Sequence, residues 1–234
     1  MVSGDMISVI LPTLNAQSGL EPTLTSLMPG VMSGLIKQLV IADGGSEDRT
    51  LAIADEAGAD VVRAAKGRGN QLAAGAREAR AEWLLFLHAD TLLEPGWELE
   101  VQQFLDEARA ARDDERVACF RFRLNDRRTA ARFLERVVSL RCAIFGLPYG
   151  DQGLLISKRH YEKIGGFKPI PLMEDVDIVR RIGRQRMSVM GRAAVTSAER
   201  YQRDGYLRRM LRNLSCLTLW FFGVSPERIE RLYK

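Results

Sequence analysis

The chain is predicted to be an α/β protein built on a mostly parallel central sheet flanked by helices. Three observations carry this expectation. Across residues 7–90, apolar β-type runs alternate with helical patterns, which is how βαβ units on a parallel sheet read in sequence. The run Trp83-Leu84-Leu85-Phe86-Leu87 is apolar without interruption, as a central strand covered on both faces requires. The segment Leu39-Val40-Ile41-Ala42-Asp43-Gly44-Gly45-Ser46-Glu47-Asp48-Arg49-Thr50 passes abruptly from apolar residues to a carboxylate, two glycines and capping residues, so it reads as strand, tight turn, helix.

The elements follow in order. Ile7-Ser8-Val9-Ile10-Leu11 is the first strand, closed by Pro12, and the next helix opens near Glu21-Pro22, because proline suits a first helical position. Residues 36–42 form the second strand, 50–56 a helix ended by Gly58, 60–63 a short third strand and 70–80 an Ala-rich helix. After Pro95, Trp97, Val101, Phe104, Leu105 and Ala108 fall at i, i+4, i+7, i+8 and i+11, the stripe of an amphipathic helix that packs on a core. Residues 109–115 read as a charged surface loop, and 117–124 alternate like a half-exposed strand. Phe133, Val137, Leu140 and Ile144 form a second helical stripe, 153–157 a strand and 175–185 a helix. No internal repeat or long linker divides the chain.

At 234 residues, 46% apolar and 27% charged, the sequence suits one domain with one sizeable core. The formal charge of +4 is modest and the arginines concentrate in the last third, which points to a local anion site and away from a nucleic-acid surface. Cys119, Cys142 and Cys216 are far apart and odd in number, so neither a disulfide framework nor a zinc ribbon is indicated; a reducing, cytoplasmic setting is expected. No signal peptide is visible, and the longest apolar run, 216–224, is too short to span a bilayer.

Several short motifs carry chemistry. In open α/β sheets ligands bind beyond the carboxyl ends of strands, so Asp43 is placed either to meet a ligand or, with Ser46, simply to cap a helix. His88-Ala89-Asp90 closes the fourth strand with two potential ligands two residues apart, which on an extended chain share a side. A hard cation that keeps substrate phosphates needs only one or two protein carboxylates, and Asp90 can supply one. Imidazole suits softer metals than Mg²⁺, so His88 either biases the site toward Mn²⁺ or hydrogen-bonds the substrate; a packed core histidine is the plain alternative. Lys66-Gly67-Arg68-Gly69-Asn70-Gln71 combines glycines, cations and a helix N-terminus that favours anions, so Lys66, Gly69 and Asn70 are candidates for touching a nucleotide. It is a poor dinucleotide fingerprint, with Leu72 at the third glycine position. In Met173-Glu174-Asp175-Val176-Asp177, carboxylates at a helix N-terminus are stabilised by the dipole, and Asp175 is also a candidate general base with Glu174 fixing the neighbouring loop or acceptor. Asp177 and Arg181 are four apart and pair on the surface. Arg200, Arg203, Arg208, Arg209 and Arg212 run into the apolar segment 217–222, suited to a diphosphate, to anionic lipid or to packing on the protein itself.

Taken in order, Ser8-Val9-Ile10-Leu11-Pro12-Thr13-Leu14-Asn15, the Asp43–Thr50 segment, His88-Ala89-Asp90, Gly150-Asp151-Gln152-Gly153 and Glu174-Asp175 make a set that resembles the family 2 nucleotide-sugar glycosyltransferases of GT-A fold. The resemblance covers most of the chain. It implies a single GT-A domain over 1–234: a nucleotide-sugar-binding half (1–92), an acceptor and catalytic half (93–199) and a basic amphipathic helical segment (200–234). It implies that Pro12, Thr13 and Asn15 line the nucleotide pocket, that Asp43 faces base or ribose, that Asp90 holds Mg²⁺ or Mn²⁺ on the diphosphate, and that Asp175 is the base. Gly44, Ala89 and Gln152 belong to the same motifs on the donor side. His88 stands where the family usually has the first Asp of its Asp-x-Asp motif, a departure that bears on the metal. The compact length and the wording Phe86-Leu87-His88-Ala89-Asp90-Thr91 look closest to small bacterial members assigned to arsenosugar biosynthesis, which are related to carotenoid-acid glycosyltransferases.

The expected reaction is transfer with inversion from a UDP- or GDP-linked sugar to a hydroxyl or carboxyl group of a small-molecule or lipid-like acceptor. The expected setting is the cytoplasm, with peripheral contact at an anionic membrane as one use of the C-terminal helix. Two rivals stay open. A nicotinamide-dependent oxidoreductase would use Asp43 on a ribose, although Pro12-Thr13-Leu14-Asn15-Ala16-Gln17 lacks the glycines its first turn needs. A non-catalytic membrane- or partner-binding module would make Asp90 and Asp175 dispensable.

Overall fold

The computed structural model describes residues 6–233. The first half alternates strand and helix as expected: β1 (Ile7–Thr13), α1 (Gln17–Met32), β2 (Ile36–Asp43), α2 (Thr50–Glu56), β3 (Asp60–Arg63), α3 (Arg68–Glu78) and β4 (Trp83–Phe86). The remainder runs β5 (Thr91–Leu93), α4 (Trp97–Ala111), β6 (Val117–Leu124), α5 (Thr129–Phe145), β7 (Leu154–Ser157), α6 (Lys158–Lys163), α7 (Glu174–Ile182), β8 (Met187–Thr196), α8 (Glu199–Asp204), α9 (Tyr206–Phe221) and α10 (Pro226–Tyr233). Residues 1–5, where a leader would begin, lie outside the described residues.

All eight strands join one sheet in the order β3-β2-β1-β4-β7-β6-β8-β5. The β1–β2, β1–β4, β2–β3 and β6–β8 pairs are parallel, and β7 runs antiparallel to both β4 and β6. The sheet is therefore mixed, with its direction reversing at β7. That reversal positions the site: Phe86 at the end of β4 lies opposite Leu154 at the start of β7, so the residues after β4 and before β7 meet at one edge.

Alternation along β1 fills two layers. Ile7, Val9 and Leu11 enter a core with Leu20, Ile41, Leu85, Trp97 and Leu105 beneath α1 and α4. Ile10 points the other way, into a core with Val40, Leu72, Leu84, Phe86, Ile178 and Val179 beneath α3 and α7. Ser8 is buried on this second side, and its hydroxyl donates to Gln38 Oε1 (2.8 Å) and accepts from the Ala81 N–H (3.0 Å), so no polar atom is stranded there. A third cluster, with Leu124, Ala131, Leu134, Val138 and Ala198, ties α5 to β6 and to Tyr201, Tyr206 and Met210 of α8 and α9.

Four expectations need correction. The first helix begins at Gln17, not near Glu21, because side chains of the following loop cap its start: Ser46 Oγ, Thr50 Oγ1 and Asp48 Oδ2 accept from the N–H groups of Asn15, Ala16 and Gln17. Pro22 consequently lies inside α1. Residues 109–111 continue α4 as helix, which ends with Arg112 at φ 52°. The helix expected over 175–185 stops at Ile182, where Gly183 takes φ 82°. The stripe Phe133, Val137, Leu140 and Ile144 faces outward; α5 turns Ala131, Leu134, Val138 and Cys142 inward instead.

Candidate active site

The carboxyl ends of β1 and β2 form a ledge around Asp43. Thr13, directly opposite Asp43 in the sheet, donates its hydroxyl to Oδ1 (3.1 Å), and the Ser46 hydroxyl donates to the same oxygen. The N–H groups of Gly45 and Ser46 donate to Oδ2, each at 2.9 Å, in a turn that needs Gly45 at φ 98°. Burial works against ionisation of Asp43, but the Ser46, Gly45 and Thr13 hydrogen bonds outweigh it and hold the carboxyl below its usual range. Asn15, itself at φ 51°, accepts the Glu47 N–H on its Oδ1 (2.9 Å) and so locks the first loop to the second. Gln71 of α3 braces the ledge from behind, donating to the carbonyls of Thr13 (2.6 Å) and Ala42 (2.9 Å). A Cβ on Gly44 would come within 3.1 Å of that Gln71 side chain, so Gly44 permits the brace. Pro12 is half-buried at the end of β1.

The candidates around α3 divide. Lys66 is exposed, and Asn70 donates to its carbonyl (3.3 Å). Gly69 is a packing residue: a Cβ there would sit 2.2 Å from the Lys168 carbonyl oxygen. Between them, Arg68 reaches the second part of the site.

That part assembles from the end of β4, the turn before β7 and the start of α7. Asp175 accepts the Gly150 N–H on Oδ2 (2.9 Å) and the Val176 N–H on Oδ1 (2.8 Å). Glu174, only 2% exposed, has Oε1 3.5 Å from an Arg68 nitrogen, an ion pair too long to be a hydrogen bond, and that oxygen has no hydrogen-bond partner. Burial pushes the Glu174 carboxyl up to about 7; the Asp175 charge adds to the shift and Arg68 opposes it. Asp151 also has a buried oxygen without a hydrogen-bond partner, and burial raises its carboxyl to about 6 against the pull of Arg141. Arg68, His88, Tyr149, Gly150, Glu174 and Asp175 line a cavity of about 20 Å³ floored by Leu72, Phe86 and Ile178. That is room for roughly one water.

His88 and Asp90 do not lie on extended chain. β4 ends at Phe86 and the chain turns, with the Thr91 N–H donating to the His88 carbonyl (3.2 Å), so the alternation expected of an extended chain is lost. His88 lines the cavity with Nε2 unpaired and buried, 2.8 Å from where a Gly150 Cβ would lie, while Asp90 is exposed. Burial first, then the charges of Arg68 and Arg200, hold the His88 imidazole well below its ordinary pKa and hence neutral. Ala89 is buried against α1, its carbonyl accepting the Thr23 hydroxyl (3.0 Å). Among the described residues no three His, Cys, Asp or Glu side chains form a ready-made metal cluster. The donor set fits a different arrangement, a single exposed carboxylate at Asp90 of the kind a phosphate-bound Mg²⁺ or Mn²⁺ requires.

Gln152, expected on the donor side, is turned inward. Its Nε2 donates to the Phe120 carbonyl (3.0 Å) and its Oε1 accepts from Tyr149 N (3.3 Å) and Arg141 (3.4 Å), because a buried amide must satisfy both ends. The C-terminal arginines are partly committed as well: Arg203, Arg209 and Arg212 pair with Asp204 at 2.9, 2.9 and 3.4 Å. Asp177 and Arg181 pair as expected, at 2.6 Å, but partly buried instead of on the surface, because Arg181 also donates to the Ile164 and Gly166 carbonyls.

Sequence reasoning missed Arg68, Gln71, Arg141 and Asp151 as members of the site. Arg68, Gln71 and Asp151 sit inside motifs already singled out, and their burial is the missing signal; Arg141 has none, since only the packing of α5 brings it over the Tyr149 ring, 3.5 Å from the centroid.

Comparisons with known proteins bear on the family and the fold. The model of the family described as glycosyl transferase family 2 matches residues 8–157. Glucosyl-3-phosphoglycerate synthase of Mycobacterium tuberculosis is 40% identical over 60 residues, 26% of this chain and 18% of that protein, so the match spans under a fifth of the relative. The crystal structure of that enzyme with Mn²⁺, UDP and glucosyl-3-phosphoglycerate has a TM-score of 0.56 at 22% identity, covering 83% of this chain and 71% of that one. S. aureus TarS 1-349 has a TM-score of 0.64 at 18% identity, covering 92% and 65%. Its complex with UDP-GlcNAc has a TM-score of 0.62 at 19% identity, covering 82% and 58%. The α/β architecture is that of GT-A glycosyltransferases, with a helical C-terminal extension.

Proposed function

Because the chain belongs to glycosyl transferase family 2, we propose that it is an inverting glycosyltransferase moving a sugar from a UDP-linked donor to an acceptor hydroxyl or carboxyl group. The observation that carries the reading is Asp175, fixed by the Gly150 N–H at the rim of a cavity it shares with Arg68, His88 and Glu174. Its oxygen is held without being used up, which is what a general base on an acceptor requires.

Asp175 takes the acceptor proton as the acceptor oxygen bonds the anomeric carbon. The bond from that carbon to the diphosphate breaks on the opposite face, and the electron pair leaves with UDP. Asp90 would hold Mg²⁺ or Mn²⁺, which when bound supplies a Lewis acid for the departing diphosphate. Arg68 and Arg200, whose charges both act on His88, add fixed positive charge beside the same group. Neutral His88 serves as a hydrogen-bonding group there, not as a cation. Pro12, Thr13, Asn15, Asp43 and Gly44 form the ledge for the nucleoside, with Lys66 and Asn70 at its edge.

UDP in the structural relatives favours a UDP-linked over a GDP-linked donor. The wording of residues 86–91 supports a subgroup reading of the arsenosugar-biosynthesis and carotenoid-acid type, acting in the cytoplasm on a small or lipid-like acceptor. The stereochemistry is the test, and it needs no acceptor: slow hydrolysis of UDP-glucose or UDP-GlcNAc with Mn²⁺ is followed by proton NMR before mutarotation. The α-linked donors should release β-sugar first; α-sugar first would overturn inversion and the role of Asp175.

A further inference from the structure

The sequence marks apolar stripes on two helices that the site does not use. On α5, Phe133, Val137, Leu140 and Ile144 are exposed, Leu140 to 61%. On α9, Leu207, Leu211, Leu214 and Phe221 recur at i, i+4, i+7 and i+14 and are exposed, Leu207 to 65%. The two helices pack on one another through the cluster that joins Leu134 and Val138 to Tyr206 and Met210, so their outer faces adjoin. Apolar residues in such number on one side of a domain mark an interaction surface.

Charge decides its occupant. Residues 126–145 and 199–222 hold ten arginines against four acidic residues, an excess larger than the net +4 of the whole chain. Three of the four acids are engaged within the chain: Asp126 by Tyr206 and Gln202, Glu135 by Arg132, Asp204 by its arginines. Arg127, Arg136 and Arg208 have no hydrogen-bond or ion-pair partner among the described residues. A second copy meeting this face about a two-fold axis would set these guanidinium groups against each other. An anionic lipid surface complements both features, apolar stripes entering the interface and arginines meeting headgroups. Among the described residues no helix is long and apolar enough to cross a membrane, so α5 and α9 would lie in the interfacial plane.

We propose that the outer faces of α5 and α9 together dock the protein on an anionic bilayer. The surface adjoins the candidate active site at both ends: Arg141 of α5 covers the Tyr149 ring, and Phe221 of α9 lies under Arg180 of α7, 4.9 Å from the ring centroid. Docking there holds the catalytic half beside the headgroup layer. The docking stands on its own; that it presents a lipid-borne acceptor rests on the glycosyltransferase reading.

Flotation with phosphatidylcholine vesicles, with and without phosphatidylglycerol, tests this. The protein should float only with the anionic vesicles and release as salt is raised. Leu140→Glu with Leu211→Glu, and separately Arg136→Glu with Arg208→Glu, should each weaken partition by about tenfold or more while leaving far-ultraviolet circular dichroism unchanged. No flotation of the wild type, or flotation untouched by the arginine pair, would overturn the proposal. So would a wild-type dimer that the same substitutions dissociate, since the face would then belong to a second copy. Vesicle binding by a protein that fails to bind UDP with Mn²⁺ would support docking while removing the donor reading.

Discussion

Asp43 and Glu174 are almost equally buried, at 1% and 2% exposure, and their surroundings are opposite. Four donors converge on the Asp43 oxygens and keep the group ionised. Glu174 has a loose ion pair, an acidic neighbour and an oxygen without a hydrogen bond, and it titrates near 7. Asp151 and His88 beside it carry unpaired buried atoms too. The contrast separates two kinds of order in one sheet. The polar groups of the ledge at β1 and β2 are satisfied within the chain. The edge where β4 meets β7 and α7 keeps polar groups desolvated and unsatisfied, a condition that costs stability and is typical of reactive sites.

The strongest way to break this contrast is to neutralise one carboxylate on each side. Asp175→Asn keeps an oxygen for the Gly150 N–H and should cut transfer by about 10²–10⁴-fold with stability and UDP affinity retained, read by product formation and calorimetry. Normal turnover would remove Asp175 as the base. Asp43→Ala should instead lower unfolding stability by about 3 kcal/mol in urea titrations, because the buried Gly45 and Ser46 donors lose their acceptor. The Asp43 contribution is present above its unfolded value of 3.8 and is lost as pH falls through the lower folded value.

Glu174 has the reverse sign. Its folded carboxyl titrates about 7 against 4.5 unfolded, so the native state loses stability as pH rises between those values. Glu174→Gln should therefore gain on the wild type by up to about 3 kcal/mol on going from pH 4.5 to pH 8, measured by urea unfolding at both. A pH-independent difference would mean Glu174 is ionised throughout. Gly69→Ala should cost about 2 kcal/mol by driving α3 off the Lys168 carbonyl. Lys66→Ala, at the exposed edge, should change stability by less than about 0.5 kcal/mol and weaken UDP binding only a few-fold.

What was legible follows the same division. Strands β3 and β6 and helix α2 match their expected residues because alternation and glycine stops are local signals. The early start of α1 depends on Ser46, Asp48 and Thr50, some thirty residues away, and has no local mark. β5, three residues long, and β8, interrupted by Gly191-Arg192, are strands because they pair with neighbours at the far edge of the sheet. Asp43, Asp90 and Asp175 could be named because motifs end at them. The inward turn of Gln152 and the chain turn over residues 88–91 could not, since both depend on where β7 meets β4.

The decisive experiment is titration calorimetry of UDP, with and without Mn²⁺, on the wild type and on Asp90→Ala. UDP should bind the wild type only with Mn²⁺ and should not bind Asp90→Ala; no UDP binding with Mn²⁺ present, or wild-type binding by Asp90→Ala, would overturn a metal-dependent donor site at Asp90.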